Sequence, residues 1–462
     1  MNQNNSLLPL IAFCMIGFSS AIRAQDQPQQ FPLALQDIGG SERLVIYVGI
    51  DGSAPLPYLF DTGSSGFNAA YYSGPMIGDA TNNSDWSNTG TNVDNAIVSY
   101  GLASSGFSYL LNEVTVTNIT IYDPVTMLGA DTLTSSSGFD IGQVTQRING
   151  TTNPSDASFT NVPYGTTNTN YYNFDTNFTG QLAKGLAPEP SVTNPALFGT
   201  FGASMFVGIN TSSMTAASYT NASVLGQSTT SGWAVVANNR YNTTGSTNPY
   251  VILGLNSSIT NQFSTAVSWN TNSDIKFPNS GANSGTEFDV NFDFKLTKGD
   301  LSESTNWKSA TLLDSGTPDN IVSIKNDPNI PDLTDYYRDD VSSNNTTNHP
   351  FIAGTLFSAE ASTNDISTNA PDNYSFTITN GDNVDPITYK AKFNPTDTSN
   401  TVTLGIGFFL SNSVAFDLAT GQTLYTPNAV TVVPEPSTYA LLALGALFLI
   451  IVLRRRSCPL NS

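Results

Sequence analysis

Between its two ends this chain has no long helical pattern; its apolar residues come in short runs. RLVIYVGI (43–50), YLLNEVTVTNITIYD (109–123), GWAVVANN (232–239), YVILGL (250–255) and FDVNFDFKL (288–296) alternate or are rich in β-branched and aromatic residues. That is the pattern of strands, which place successive side chains on opposite faces. Polar, turn-rich segments separate the runs: TNNSDWSNTGTNVDN (81–95), NGTTNPSDASFTNVPYGTTNTN (149–170) and DDVSSNNTTN (339–348) read as loops. An all-β chain follows, and 462 residues suffice for two or three domains.

Against this background one pattern occurs twice, YLFDTGSSGF around Asp61 and TLLDSGTPDN around Asp314. In each, an apolar strand ends at an aspartate, a glycine (Gly63, Gly316) lets the backbone turn, and hydroxyls (Thr62 and Ser64, Ser315 and Thr317) stand ready to hydrogen-bond. One copy alone reads as an ordinary turn. Two copies face to face would hold two carboxyls about a hydrogen bond apart, too close for both to ionise. Such a pair keeps one proton and titrates as a unit. Its ionised member can deprotonate a water while the protonated one donates to a carbonyl, which is hydrolysis without metal or covalent intermediate.

Other chemistries have little to work with. The two cysteines, Cys14 and Cys458, lie in the terminal segments, which removes disulfides, thiol catalysis and cysteine metal sites from the body. A histidine mechanism would rest on His349, which reads as a solvated loop residue. Acidic clusters such as NGDNVDP lack calcium-loop spacing, so neither metal nor cofactor is expected. With 36 acidic against 16 basic residues the formal charge is −20, which argues against nucleic-acid partners. Most carboxylates then lack a basic partner, so acid is expected to cost this fold less than usual.

Both ends read as targeting segments. Leu7 to about Ala21 is an apolar stretch followed by Ala24, a secretory signal peptide over 1–24, although its start lacks the usual Lys or Arg. At the other end Pro434-Glu435-Pro436 precedes an apolar run, Tyr439 to Leu453, closed by Arg454, Arg455 and Arg456. The run is short for an unaided membrane span, and the arginines mark its cytoplasmic side. Residues 431–462 resemble the PEP-CTERM sorting signal of Gram-negative bacteria. That resemblance implies a transient membrane anchor, recognition by an exosortase-type enzyme and export to the cell envelope or beyond; a plain tail anchor is the alternative.

With both aspartate loops in hand the body resembles the two-lobed pepsin-like aspartic peptidases, discontinuously from Ser41 to Pro427. VSYGLASSGFSYLLNEVTVTNITI (98–121) resembles the flap hairpin, with Tyr100 and Gly101 as flap residues. KGLAPEPS resembles the segment whose glycine, here Gly185, packs behind the first catalytic loop, and Leu404-Gly405 would back the second. The resemblance implies lobes over 25–240 and 241–430 with a cleft between them, and Asp61 and Asp314 as catalytic dyad. Thr62, Gly63, Ser64, Ser315, Gly316 and Thr317 would support it, Ser64 and Thr317 by bonding the carboxylates. A monomer acting on polypeptides, made without an inhibitory propeptide, is expected. Three departures stand out: Asn68 where the family has a flap-supporting Trp, Pro318 where Ser or Thr is usual, and Lys184 before Gly185. Asn68 and Pro318 keep open the alternative of a weakly active or inactive surface protein of the same fold, serving matrix or envelope adhesion.

Overall fold

The computed structural model describes residues 28–38, 42–70, 91–100, 107–149, 171–173, 197–211, 218–238, 248–278, 280–300, 303–323, 333–336, 349–362, 373–378, 391–394 and 400–432. The expected signal peptide, Gly101, Lys184, Gly185, both cysteines and the apolar run 439–453 lie outside them. The predicted strands form over the expected segments, at Glu42–Ile50, Phe107–Tyr122, Gly232–Val236, Tyr250–Leu253 and Val290–Thr297. Two segments read as loop are strand instead. Thr91–Tyr100 pairs with Phe107–Tyr122, which gives the polar stretch 91–95 backbone partners, and His349–Pro350 pairs with Ala391–Asn394.

Three large sheets carry the fold. A nine-stranded sheet is built from strands within residues 34–202, and an eight-stranded sheet from strands within 290–404. Between them lies a six-stranded sheet in the order Gln29–Pro32, Tyr250–Leu253, Gly232–Val236, Ser413–Asp417, Gln422–Thr426, Thr265–Ser268. The architecture is therefore all-β and two-lobed, with early, middle and late chain segments sharing the central sheet.

The duplication seen in the sequence is also one of topology. Strand Leu56–Asp61 pairs in parallel with Gly199–Gly202, which pairs antiparallel with Phe67–Ala70 on its other side. In the second lobe Ser304–Leu313 pairs in parallel with Thr401–Leu404, which pairs antiparallel with Asn320–Ser323. In each lobe a later strand is thus inserted between the strand entering and the strand leaving an aspartate loop. The inserted strand fixes the loop from behind: the Ala203 amide donates to the Asp61 carbonyl at 2.7 Å and the Asp314 amide to the Leu404 carbonyl at 2.9 Å.

Alternation along the shared sheet gives it two apolar faces. Trp233, Val235, Val251 and Phe416 join the main core, which runs into both lobes through Phe60, Phe201, Phe292 and Phe408. Ala234, Val236, Ile252 and Ala415 form a second cluster with Ile259 and Val430, closed by the helix Ser257–Thr260 and the segment after Thr426. Trp233 is fully buried, packs on Phe416 at 5.7 Å between ring centroids, and donates its indole N–H to the Ala203 carbonyl at 3.1 Å. It therefore ties the shared sheet to the strand end behind Asp61. Trp233→Ala should lower unfolding free energy by about 3–5 kcal/mol, as for other buried aromatic truncations, read from urea denaturation; a loss under about 1 kcal/mol would remove this tie from the account.

Candidate active site

Each aspartate sits at the end of an apolar strand, where the main chain must turn back within three residues. In the first loop the Gly63 amide donates to Asp61 Oδ1 at 2.8 Å and Ser64 Oγ to Oδ2 at 2.5 Å. In the second the Gly316 amide donates to Asp314 Oδ1 at 2.8 Å, the Thr317 amide to the same oxygen at 3.1 Å, and Thr317 Oγ1 to Oδ2 at 2.5 Å. Both carboxylates are thus oriented by donors two and three residues downstream. Pro318, which lacks an amide hydrogen, lies outside that donor set and removes no bond from Asp314.

The loops are locked to each other by their second residues. Thr62 Oγ1 donates to the Leu313 carbonyl at 2.8 Å and accepts from the Ser315 amide at 2.9 Å. Ser315 Oγ donates to the Phe60 carbonyl at 3.0 Å and accepts from the Thr62 amide at 3.1 Å. Both side chains are fully buried, so each hydroxyl satisfies one donor and one acceptor across the lobe boundary with no exchange to water. The sequence placed both hydroxyls near the carboxylates; their role as a reciprocal clasp between loops needed the third dimension.

Glycine is required where the loops meet. A Cβ on Gly63 would lie 2.5 Å from Asp314 Cγ, and one on Gly316 would lie 2.5 Å from Asp61 Cγ. Each glycine therefore admits the opposite lobe's carboxyl. Asp61 is 7% exposed and hydrogen-bonded to Asp314. Burial first, then the charge of Asp314 and the bond between the two carboxyls, pushes Asp61 well above the ordinary carboxylate range; the bonds from Ser64 and Gly63 oppose that shift. The pair thus retains a proton at a pH where isolated aspartates are ionised.

Gly185, expected behind the first loop, lies outside the described residues, and Gly202 occupies that place. A Cβ on Gly202 would meet the Ser64 carbonyl at 2.6 Å and the Gly66 carbonyl at 2.4 Å. Gly405 stands in the same relation to the Thr317 carbonyl, at 2.6 Å, and the Asp319 carbonyl, at 2.4 Å. The signal was present as a second short repeat, Thr200-Phe201-Gly202 against Thr403-Leu404-Gly405. Tyr100 ends its strand opposite Phe107, next to the undescribed tip of the expected flap. Asn68 is fully buried, and its amide oxygen occupies space that a Cβ on Gly142 would need, 2.2 Å away. This chain packs that small amide against the backbone of the neighbouring strand. No cluster of metal-ligating side chains occurs among the described residues.

The protein-sorting motif family PEP-CTERM matches residues 432–456. The C-terminal segment is a PEP-CTERM sorting motif. The motif marks the chain for export and sorting to the envelope of Gram-negative bacteria and implies recognition by exosortase-type machinery. No helix among the described residues is long and apolar enough to cross a membrane. The anticipated anchor, 439–453, is not among them, and its membrane insertion has no structural support. No curated protein matches the sequence. Among solved structures, the aspartic proteinase from Irpex lacteus is similar, with 14% identity and a TM-score of 0.44 over 87% of this chain and 97% of that chain.

Removing one hydroxyl of the clasp strands its buried partners. Thr62→Val and Ser315→Ala should each cost about 1–3 kcal/mol of stability. The double variant should cost clearly less than their sum, because both remove bonds from one network. A thermal-unfolding double-mutant cycle reads this, and strict additivity would mean that the loops are held together by something else.

Three buried carboxyls make stability depend on pH. Asp61 and Asp289 are held well above the usual range, Asp289 by burial first, and Glu113 is pushed up to about 7 by burial and then by Asp140. Each binds its proton more tightly folded than unfolded, so its contribution is complete below about pH 4 and is lost as pH rises through the folded value. Urea midpoints should therefore fall between pH 4 and pH 7.5, and Glu113→Gln should flatten the part of that fall ending near pH 7. A midpoint that rises over this range would contradict the assignment.

Proposed function

We propose that this chain is an aspartic-type endopeptidase that hydrolyses peptide bonds with Asp61 and Asp314 as a general acid and base acting on one water. The observation that carries this reading is the reciprocal fit of the two loops. Each carboxyl is oriented by its own loop, admitted by the glycine of the other, and hydrogen-bonded to its counterpart, in a pair that holds a proton. A structural ion pair would not bring two acids together in a buried place; sharing a proton between like groups is what water activation at acid pH requires.

In the reaction the ionised carboxyl takes a proton from the water as that water attacks the scissile carbonyl, and the protonated carboxyl donates to the carbonyl oxygen. Collapse of the tetrahedral intermediate returns a proton to the leaving nitrogen, and the dyad recovers its starting state with no bond to the enzyme. The substrate is an extended polypeptide lying between lobes that we assign to residues 25–240 and 241–430, bound by strand-like backbone hydrogen bonds beneath the hairpin of Thr91–Tyr100 and Phe107–Tyr122, with Tyr100 and Gly101 assigned as flap residues. With the sorting motif, this describes a monomeric exported hydrolase retained, at least transiently, at the cell surface.

The test is cleavage of an unfolded protein by residues 25–432 from pH 3 to pH 7, with and without the transition-state analogue pepstatin. Asp61→Asn and Asp314→Asn should each lower kcat/KM by about 100-fold or more, and the wild-type profile should be bell-shaped with its optimum on the acid side. A folded sample that cleaves nothing at any pH would replace the enzyme with a surface protein of the same fold.

A further inference from the structure

Arg43 is the first residue of the run that opens the body, and its strand runs beside the one that ends at Asp61. The two strands pair antiparallel with Val45 opposite Leu59. Continuing that register by two residues brings Arg43 level with Asp61, and opposed residues of an antiparallel pair project to the same face. The side chain is half-buried, and one guanidinium nitrogen donates to the Glu42 carbonyl at 3.1 Å. The acids that act on the guanidinium come from both lobes: Asp319, then Asp314, then Asp61. Burial draws the guanidinium below its usual range and these three charges oppose the shift.

Asp319 belongs to the second aspartate loop, is 6% exposed, and is fixed from behind by Gly405. Glu287, on the segment entering Val290–Thr297, completes the charged surroundings. It keeps much of its surface in solvent, yet local burial and then the charge of Asp314 raise its carboxyl. Among the described residues, the charged groups linked to the dyad are therefore Arg43 and the acids Asp319 and Glu287.

We propose that Arg43 is a positioning residue for the dyad, a cation set across from Asp61 that favours the singly ionised pair and is held in check by the buried carboxylate of Asp319. A nearby positive charge stabilises the ionised form of a carboxyl, so Arg43 lets the dyad lose its first proton at lower pH and extends activity further into acid. Asp319 draws part of that field to itself. The guanidinium stays charged because arginine does so throughout the accessible range, and its partial exposure limits the effect through solvent screening.

This inference rests on the dyad being the catalytic site, so its test needs a readout that does not require catalysis. The full chain, purified in detergent and labelled with carbon-13 at aspartate carboxyls, would be titrated by NMR, the dyad signals being assigned with Asp61→Asn and Asp314→Asn. The kcat/KM profile would be recorded on the same samples, with a thermal melt to establish folding. Arg43→Met should move the first dyad ionisation and the acid limb upward together by about one pH unit, Arg43→Lys should restore most of the shift, and Asp319→Asn should move both downward. A titration that follows Arg43 in a protein that cleaves nothing would support the inference and overturn the catalytic reading. Cleavage that depends on both aspartates, with a dyad titration indifferent to Arg43→Met or with Asp319→Asn shifting it upward, would overturn the inference and leave the catalytic reading standing.

Discussion

Everything in this structure depends on holding two carboxyls against each other. Like acids repel once both are ionised, and burial raises that cost, so a chain that brings Asp61 to Asp314 must supply the constraint from elsewhere. Here it comes from the buried clasp of Thr62 and Ser315, whose four hydrogen bonds join the loops at main-chain atoms rather than at the acids themselves. The carboxyls are thereby free to exchange a proton without being responsible for keeping the lobes together.

The larger architecture serves that constraint. Each loop is backed by a glycine at or just after the end of the inserted strand, Gly202 in one lobe and Gly405 in the other, which holds the loops at the lobe boundary. The shared sheet couples the lobes at greater distance, with Trp233 reaching from it to the strand end behind Asp61. Two copies of one local device, joined by a sheet drawn from both ends of the chain, give a site in which neither half is complete alone.

Much of this was legible in the sequence because it is written in short-range pattern. Alternation marked the strands, and the repeated Asp-(Thr/Ser)-Gly loop named both carboxyls, their glycines and the hydroxyls that bond them. What was not legible depends on which strands become neighbours. The segment 91–95 is polar apart from Val93, and only pairing with Phe107–Tyr122 makes it a strand. Gly202 escaped notice because its repeat with Gly405 is three residues long in a chain rich in glycine and threonine, and it gains meaning only when its strand is inserted beside Asp61. Arg43 opens the run 43–50, and its relation to Asp319 and the dyad spans a sequence distance that no local pattern encodes.

The central claim, that a proton-sharing carboxyl pair activates water directly, is tested most directly by hydrolysing a defined peptide in oxygen-18 water with hydroxylamine present. The account predicts one labelled oxygen in each new C-terminal carboxyl, no hydroxamate, and loss of cleavage with Asp314→Asn. Formation of a hydroxamate would show that an acyl group passes through a covalent intermediate, and cleavage that survives Asp314→Asn would show that the pair is not what performs it.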